Sequence, residues 1–326
     1  MVLHECLVPD CKSGEPVIQA HSIQERRVLD LISVDKHVYM IPNKDEGVVL
    51  DRIGIHKATR FTGFCSIHDN ELFDSVDLGN NREVDIENPE DLIRLSLRAI
   101  ACEYWKKCNG RQFWNKLRDI SSRNSIADMM EFINVEEREA EELVKHIQLT
   151  AKPQLLGINK AVERIGRQYH SLFAQLESRK YHLSKFCTFT MAVEPLVAAA
   201  AHFPPEFSNT GKRMSRRKMG VDFPEVTLNL LPTSAGTHVI FLWHRRYERQ
   251  IRPFFNDIVV MGDEERALLL SQMLLIQCEN VALSPRLVDS WNEREKEKVL
   301  HLFTNTLRGA IPYSSAWDID LFSIRA

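Results

Sequence analysis

Four residues near the start of the chain have the side chains and spacing of a metal site. Cys6 and Cys11 form a Cys-x4-Cys pair, and Cys65 and His68 form a Cys-x2-His pair in "FCSIHDNELF". Thiolate sulfur and imidazole nitrogen are the donors of a tetrahedral zinc site, and each pair is close enough in sequence to bind as a unit. The first 70 residues hold three of the 7 cysteines and five of the 12 histidines. Ordinary buried thiols would explain such a composition but not the pairing. The spacing predicts a structural zinc on Cys6, Cys11, Cys65 and His68, with His4, His37 and His56 open as alternative ligands. A zinc here would fold a segment with little core of its own, since such sites bind with roughly 10–16 kcal/mol in zinc-finger peptides.

The elements that must position these residues follow from patterning. "VIQAHSI" reads as a strand ending at His21, and short β-branched runs recur at "KHVYMI" and "EGVVL". Residues 12 to 64 therefore form an inserted hairpin with loops, and a helix begins at or just after Cys65. "NREVDIENPEDL" is a polar linker, with Asn88 before Pro89 and two acids marking a helix start. The pattern predicts a helical region to about residue 182, with Asn109-Gly110 ending its first helix and Pro153 starting a long amphipathic one. After residue 183, "SKFCTFTMAV", "EVTLNLLP" and "THVIFLWH" read as strands, followed by two helical stretches. The expected fold class is α+β. It has a zinc-stabilised segment over 1–86, helices over 87–182, and antiparallel strands with helices over 183–326.

Bulk properties narrow the function. At 326 residues with 27% charged and 44% hydrophobic residues, the composition is that of a soluble globular protein. No apolar run approaches the roughly 20 residues of a membrane helix, and no membrane partner is expected. "MVLHECLVPD" has neither the basic lead nor the apolar core of a secretory signal. Cys102, Cys108, Cys187 and Cys278 are scattered, as free thiols are in a reducing cytoplasm. A net charge of -3 gives no general attraction to nucleic acid, so such binding must rest on local patches.

Two metal-ligand pairs bracketing a hairpin, with a histidine on its first strand, resemble the treble-clef arrangement of the HNH (ββα-metal) family. "AHSIQ" stands where that family usually reads like "DHIxP", and "FCSIHDNELF" resembles its "LCxxCHxxK" helix. The resemblance covers about 70 residues. It implies that His21 is the general base, that Asp69 helps hold a catalytic Mg²⁺ or Mn²⁺, and that the zinc is structural. Ala20 replaces the family's acid before the histidine, no proline follows Ile23, and the family's central Asn has no counterpart in "HKATRFTGFC". The residues by themselves also fit a packed histidine or further zinc ligand at position 21, and a helix-capping carboxylate at Asp69.

Two basic stretches could contact DNA or RNA. "GKRMSRRKMG" carries Lys212, Arg213, Arg216, Arg217 and Lys218 between glycines, and "WHRRYERQIRPFF" carries Arg245, Arg246, Arg249 and Arg252. Trp243, Tyr247 and Phe254 beside these arginines either stack bases or fill a core. Arg164 and His170 are also spaced like the Arg-x(4–6)-His pair of HEPN ribonucleases, although Ile165 follows the Arg. Together these readings predict a cytoplasmic zinc protein acting on nucleic acid, in its enzymatic form a divalent-metal nuclease of a microbial defence or mobile-element system. The competing reading is a binding or sensor module with a purely structural zinc and a protein partner. Unaltered function in a His21→Ala variant would select it.

Overall fold

The structure, a computed structural model, describes residues 5–44, 47–77, 84–214, 223–308, 311–314 and 317–324. The chain opens with a two-residue strand β1 (Ala20–His21), a π-helical turn over Glu25–Leu29 and a short helix α1 (Asp30–Ile32). Strands β2 (His37–Met40), β3 (Asn43–Lys44), β4 (Gly47–Val48), β5 (Asp51–Gly54) and β6 (Arg60–Phe61) follow, and α2 (Ser66–Asp77) begins directly after Cys65. Three helices make up the middle: α3 (Pro89–Ser122), α4 (Ile126–Ile133) and α5 (Glu137–Ser178). The last part holds β7 (Ser184–Met191), β8 (Val197–Phe203), β9 (Val226–Thr233) and β10 (Gly236–His244). Helices α6 (Glu248–Val260) and α7 (Asp263–Gln277), strand β11 (Val281–Leu283), and helices α8 (Pro285–Val288) and α9 (Glu293–Arg308) complete it. The mixed α and β class and its order along the chain are those the patterning predicts.

A single antiparallel sheet, in the order β5-β2-β11-β8-β9-β10-β7 among the described residues, runs through the molecule. Strands β2 and β5 come from the first 54 residues, and Tyr39 of β2 pairs with Leu283 of β11. The segment between β1 and β6 is thus a lateral extension of the main sheet, so the sheet crosses the boundaries at residues 86 and 183. The central strands are covered on both faces. In β10, Val239, Phe241 and Trp243 enter one core with Ile251, Phe255 and Leu270, while Ile240 and Leu242 enter the other with Ile100 and Leu172. This explains why "LVAAAAHF" is continuously apolar rather than alternating: its side chains have no solvent face.

Helices α3 and α5 pass beyond the sheet and enclose a separate small core with α4, built on Leu117, Ile120, Met129, Val144 and Ile147. Asn88 caps α3 by accepting from the Glu90 N–H at 3.0 Å. The expected stop at Asn109-Gly110 does not occur, because Cys108 before it and Leu117 after it are both held in packed interfaces. Pro153 lies inside α5 rather than at its start. Its ring is exposed while Ala151 and Leu155 stay packed, so the side facing α3 continues through it. In both cases burial of a helix face outweighs a local propensity of about 1–3 kcal/mol.

Two buried polar networks tie the layers together. Arg98, 3% exposed, makes a two-pronged ion pair with Asp77 (2.7 Å for one prong) and lies over the Phe73 ring at 4.1 Å, fastening α2 to α3. Asp77→Ala would leave that guanidinium buried and unpaired, and unfolding in denaturant is expected to show a loss of about 3 kcal/mol. In the second network Glu225, 2% exposed, accepts from Arg164 Nε at 2.6 Å and from Gln168 Nε2. Gln168 Oε1 in turn accepts from His202 Nε2 at 3.1 Å. Arg164 therefore holds a structural carboxylate, and His170 beyond it is exposed on α5.

Burial pushes the His202 pKa below its usual value, with the Glu225 charge only partly opposing this. The folded state then prefers the neutral ring, and the unfolded chain binds the extra proton more readily. The resulting stability is complete above about pH 6.5 and lost as pH falls through the lowered folded value. Melting temperatures measured from pH 7.5 down to 5 should fall more steeply for wild type than for His202→Gln.

Candidate metal centre

The first cysteine pair is built by a turn folded against the second. Asp10 has a left-handed backbone (φ 55°) between Cys6 and Cys11, and the Cys11 N–H returns to the Val8 carbonyl at 3.2 Å. Leu7 N–H donates to the Gly63 carbonyl at 2.8 Å, and Ile18 N–H to Phe64 at 2.8 Å, so the knuckle lies along the segment leading into α2. A Cβ on Gly63 would come within 2.4 Å of the Phe61 ring and 3.1 Å of Leu7, so this close approach requires glycine. Tyr169, fully buried on α5, donates its hydroxyl hydrogen to the Leu7 carbonyl at 3.1 Å and clamps the knuckle from the other side.

The ligating atoms of Cys6, Cys11, Cys65 and His68 all lie within 4.8 Å of one another. His68 Nδ1 is 3.5 Å from Cys6 Sγ and 3.2 Å from Cys65 Sγ. A tetrahedral zinc with bonds of about 2.3 Å to sulfur and 2.0–2.1 Å to nitrogen requires S···N edges of about 3.5 Å. The donor chemistry and these edges both fit, and the four residues could hold a metal ion such as zinc. Among the described residues no other group of three or more Cys, His, Asp or Glu converges in this way. His21, His37 and His56 lie outside the cluster, and His4 falls outside the described residues.

The surroundings lower the pKa of two of the three thiols. Ser13, two residues past Cys11, places its hydroxyl 3.3 Å from both Cys11 Sγ and Cys65 Sγ. Hydrogen bonding to Ser13 lowers the Cys11 pKa. For Cys65, burial acts upward but is outweighed by Ser13, the His68 backbone and Cys6, and the net direction is down. Cys6 behaves oppositely: burial pushes its thiol up to about 11, so a bound metal must displace that proton. Ser13 and Tyr169 carry no metal-site signature in sequence. Ser13 is near enough to Cys11 to be suspected, whereas Tyr169 is 162 residues from its partner.

His21 and Asp69, the two residues assigned chemistry by family resemblance, both lie outside the cluster. His21 on β1 pairs with Arg60 of β6 across an insertion that carries β2 to β5, and α2 follows β6. The His21 side chain is 17% exposed, with Nε2 lying 3.4 Å from a Glu25 carboxylate oxygen without a hydrogen bond. Burial pushes its pKa down, and the Glu25 charge partly restores it. Asp69 has one carboxylate oxygen buried without a partner, and burial raises its pKa. Its charged neighbours are Arg98, Asp77 and Asp74, and no hydrogen bond or ion pair joins it to His21 among the described residues.

The basic stretches divide. Arg213 pairs with Glu206 at 3.3 Å and lies over the Phe207 ring, Lys212 is held through its backbone by Ser208, and Arg216, Arg217 and Lys218 lie outside the described residues. Arg245 and Arg246 are exposed at the end of β10, while Trp243, Tyr247 and Phe254 beside them are buried in the core. No described helix is long and apolar enough to cross a membrane. The chain has no significant match among family models, characterised proteins or solved structures, so its site is known by its own geometry.

Proposed function

We propose that Cys6, Cys11, Cys65 and His68 hold a structural zinc, and that the hairpin and helix around it act on nucleic acid as an HNH-like, divalent-metal-dependent nuclease. The observation that carries this reading is the order of parts. The Cys6–Cys11 knuckle and the helix start bearing Cys65 and His68 meet at one cluster, and β1, which bears His21, pairs with β6 just ahead of that helix. The zinc supplies folding energy here and takes no part in the chemistry. His21 acts as general base: a ring nitrogen accepts a proton from the attacking water, and the adjacent Glu25 steadies the imidazolium that results. Asp69 offers one carboxylate. A catalytic Mg²⁺ or Mn²⁺ would therefore depend on water and substrate phosphate for its remaining ligands, a mode Mg²⁺ commonly adopts. It would supply charge neutralisation at the scissile phosphate.

One observation supports the alternative of a non-catalytic binding module in which the zinc alone matters. His21 Nε2 is buried beside Glu25, so water reaches it only if Glu25 moves. The test is cleavage of DNA and RNA with added Mg²⁺ or Mn²⁺ by wild type and His21→Ala. Cleavage lost in the variant supports the nuclease, and absence of cleavage by wild type favours the module.

A further inference from the structure

Two loops distant in sequence meet at one end of the sheet. Strand β7 pairs with β10 so that Lys185 faces Trp243 and Ser184 faces His244. The segment entering β7 leaves α5 through Arg179, a left-handed cap (φ 53°), and the segment leaving β10 turns at once through Arg245–Tyr247. Arg245 joins them: its backbone N–H donates to the Leu183 carbonyl at 2.8 Å and its Nη1 to the His182 carbonyl at 3.4 Å. Arg179, Lys180, His182, Lys185, Arg245 and Arg246 are thereby gathered at one corner, all exposed. Two nearby carboxylates are already engaged. Glu248 accepts from Trp243 Nε1 at 2.8 Å and from Arg252 at 2.7 Å, and Glu90 accepts from Arg94 and Tyr181. Glu177 is the acidic side chain left exposed at the end of α5. The corner's field is felt by His244, whose pKa is pushed down by burial and then by Arg246 and Arg245.

We propose that this corner binds the phosphate backbone of a nucleic acid duplex without reading its bases, an inference that rests on the proposed action on nucleic acid. Single-strand binders need exposed aromatic platforms for bases, and here Trp243 and Tyr247 are buried. A lipid surface would call for an apolar anchor beside the cations. The exposed valines of α6, Val259 and Val260, lie at the opposite end of that helix, about 18 Å along its axis. What the corner offers is a group of exposed cations, which suits phosphates.

The test is fluorescence anisotropy with a short labelled DNA duplex of arbitrary sequence, titrated over a range of salt concentrations. It compares wild type with a variant carrying Arg179→Glu, Lys180→Glu, Arg245→Glu and Arg246→Glu. Lys116→Glu, Arg118→Glu, Lys145→Glu and Lys152→Glu together make an equal charge change on exposed positions of α3 and α5. The corner variant should bind at least about 100-fold more weakly, with a slope of log K against log salt shallower by about 0.9 for each contact removed. The other variant should resemble wild type. Unchanged melting temperature and zinc content verify folding, and the milder pair Lys180→Gln and Arg246→Gln should give an intermediate loss. Equal weakening in both charge-reversed variants would overturn the proposal. So would binding to phosphatidylserine vesicles in preference to the duplex, or wild type failing to bind duplex at low salt. His21-dependent cleavage with unchanged binding in the corner variant would sink the corner and leave the nuclease standing. Corner-dependent binding without any cleavage would do the reverse.

Discussion

Cys65→Ala is expected to release the zinc and unfold the segment around β1, β6 and α2. Zinc should fall from one per chain to near none, and the melting temperature should drop sharply. Loss of a metal ligand belongs to the few single changes that cost more than about 4–5 kcal/mol. The reason is geometric as well as chemical. Cys65 is fully buried, its backbone N–H meets Cys6 Sγ at 3.5 Å, and its residue bridges to Val17 across the knuckle. Cys102→Ala is the proper control, since that thiol is also buried yet lies outside the cluster. It should cost about 1 kcal/mol, the middle of the range for point changes, and keep its zinc. Equal zinc in Cys65→Ala and wild type would remove Cys65 from the ligand set. Acid should mimic the Cys65 change, because all four donors must be unprotonated to bind metal.

The second large effect is on turnover. His21→Ala should lower divalent-ion-dependent cleavage by about 10²–10⁴-fold, the usual contribution of a positioned base, while zinc content and melting temperature stay near wild type. The His21 Nε2 has no hydrogen-bond partner and the neighbouring Glu25 side chain is 34% exposed, so removing the ring strands no charge in the core. A companion variant reads the chemistry itself. Glu25 raises the His21 pKa, so Glu25→Gln should lower it, and the acidic limb of the pH–rate profile should shift towards lower pH. A limb that stays in place with Glu25→Gln would show that another group is the base. Loss of zinc in His21→Ala would mean that the histidine is a ligand instead.

The metal cluster and the α+β class were legible in sequence because both rest on local signals. Cysteine and histidine spacing brought forward Cys6, Cys11, Cys65 and His68, and the period of β-branched residues located β7, β9 and β10. What stayed hidden depends on long-range contacts. Nothing in "KHVYMI" announces that Tyr39 will pair with Leu283, because a strand's pattern records which faces are buried and not which neighbour it meets. Asn109-Gly110 and Pro153 misled for the complementary reason: they are local stop and start signals overruled by the packing of α3 against α5. Tyr169 was invisible as a support of the centre, since its role exists only once α5 and the knuckle are brought together, and Ser13 was marked only by its nearness to Cys11. Arg245 and Arg246 were visible as charges, but the sequence held back the Arg179–Lys185 segment that completes their surface.

The most direct test of the central claim is X-ray absorption at the zinc edge on the purified wild-type chain, with metal content measured on the same sample. One zinc per chain, with three sulfur scatterers at about 2.3 Å and one nitrogen at about 2.0–2.1 Å, is the predicted result. A folded chain without zinc, or a zinc bound only by oxygen and nitrogen, would contradict it and leave Cys6, Cys11 and Cys65 as core thiols.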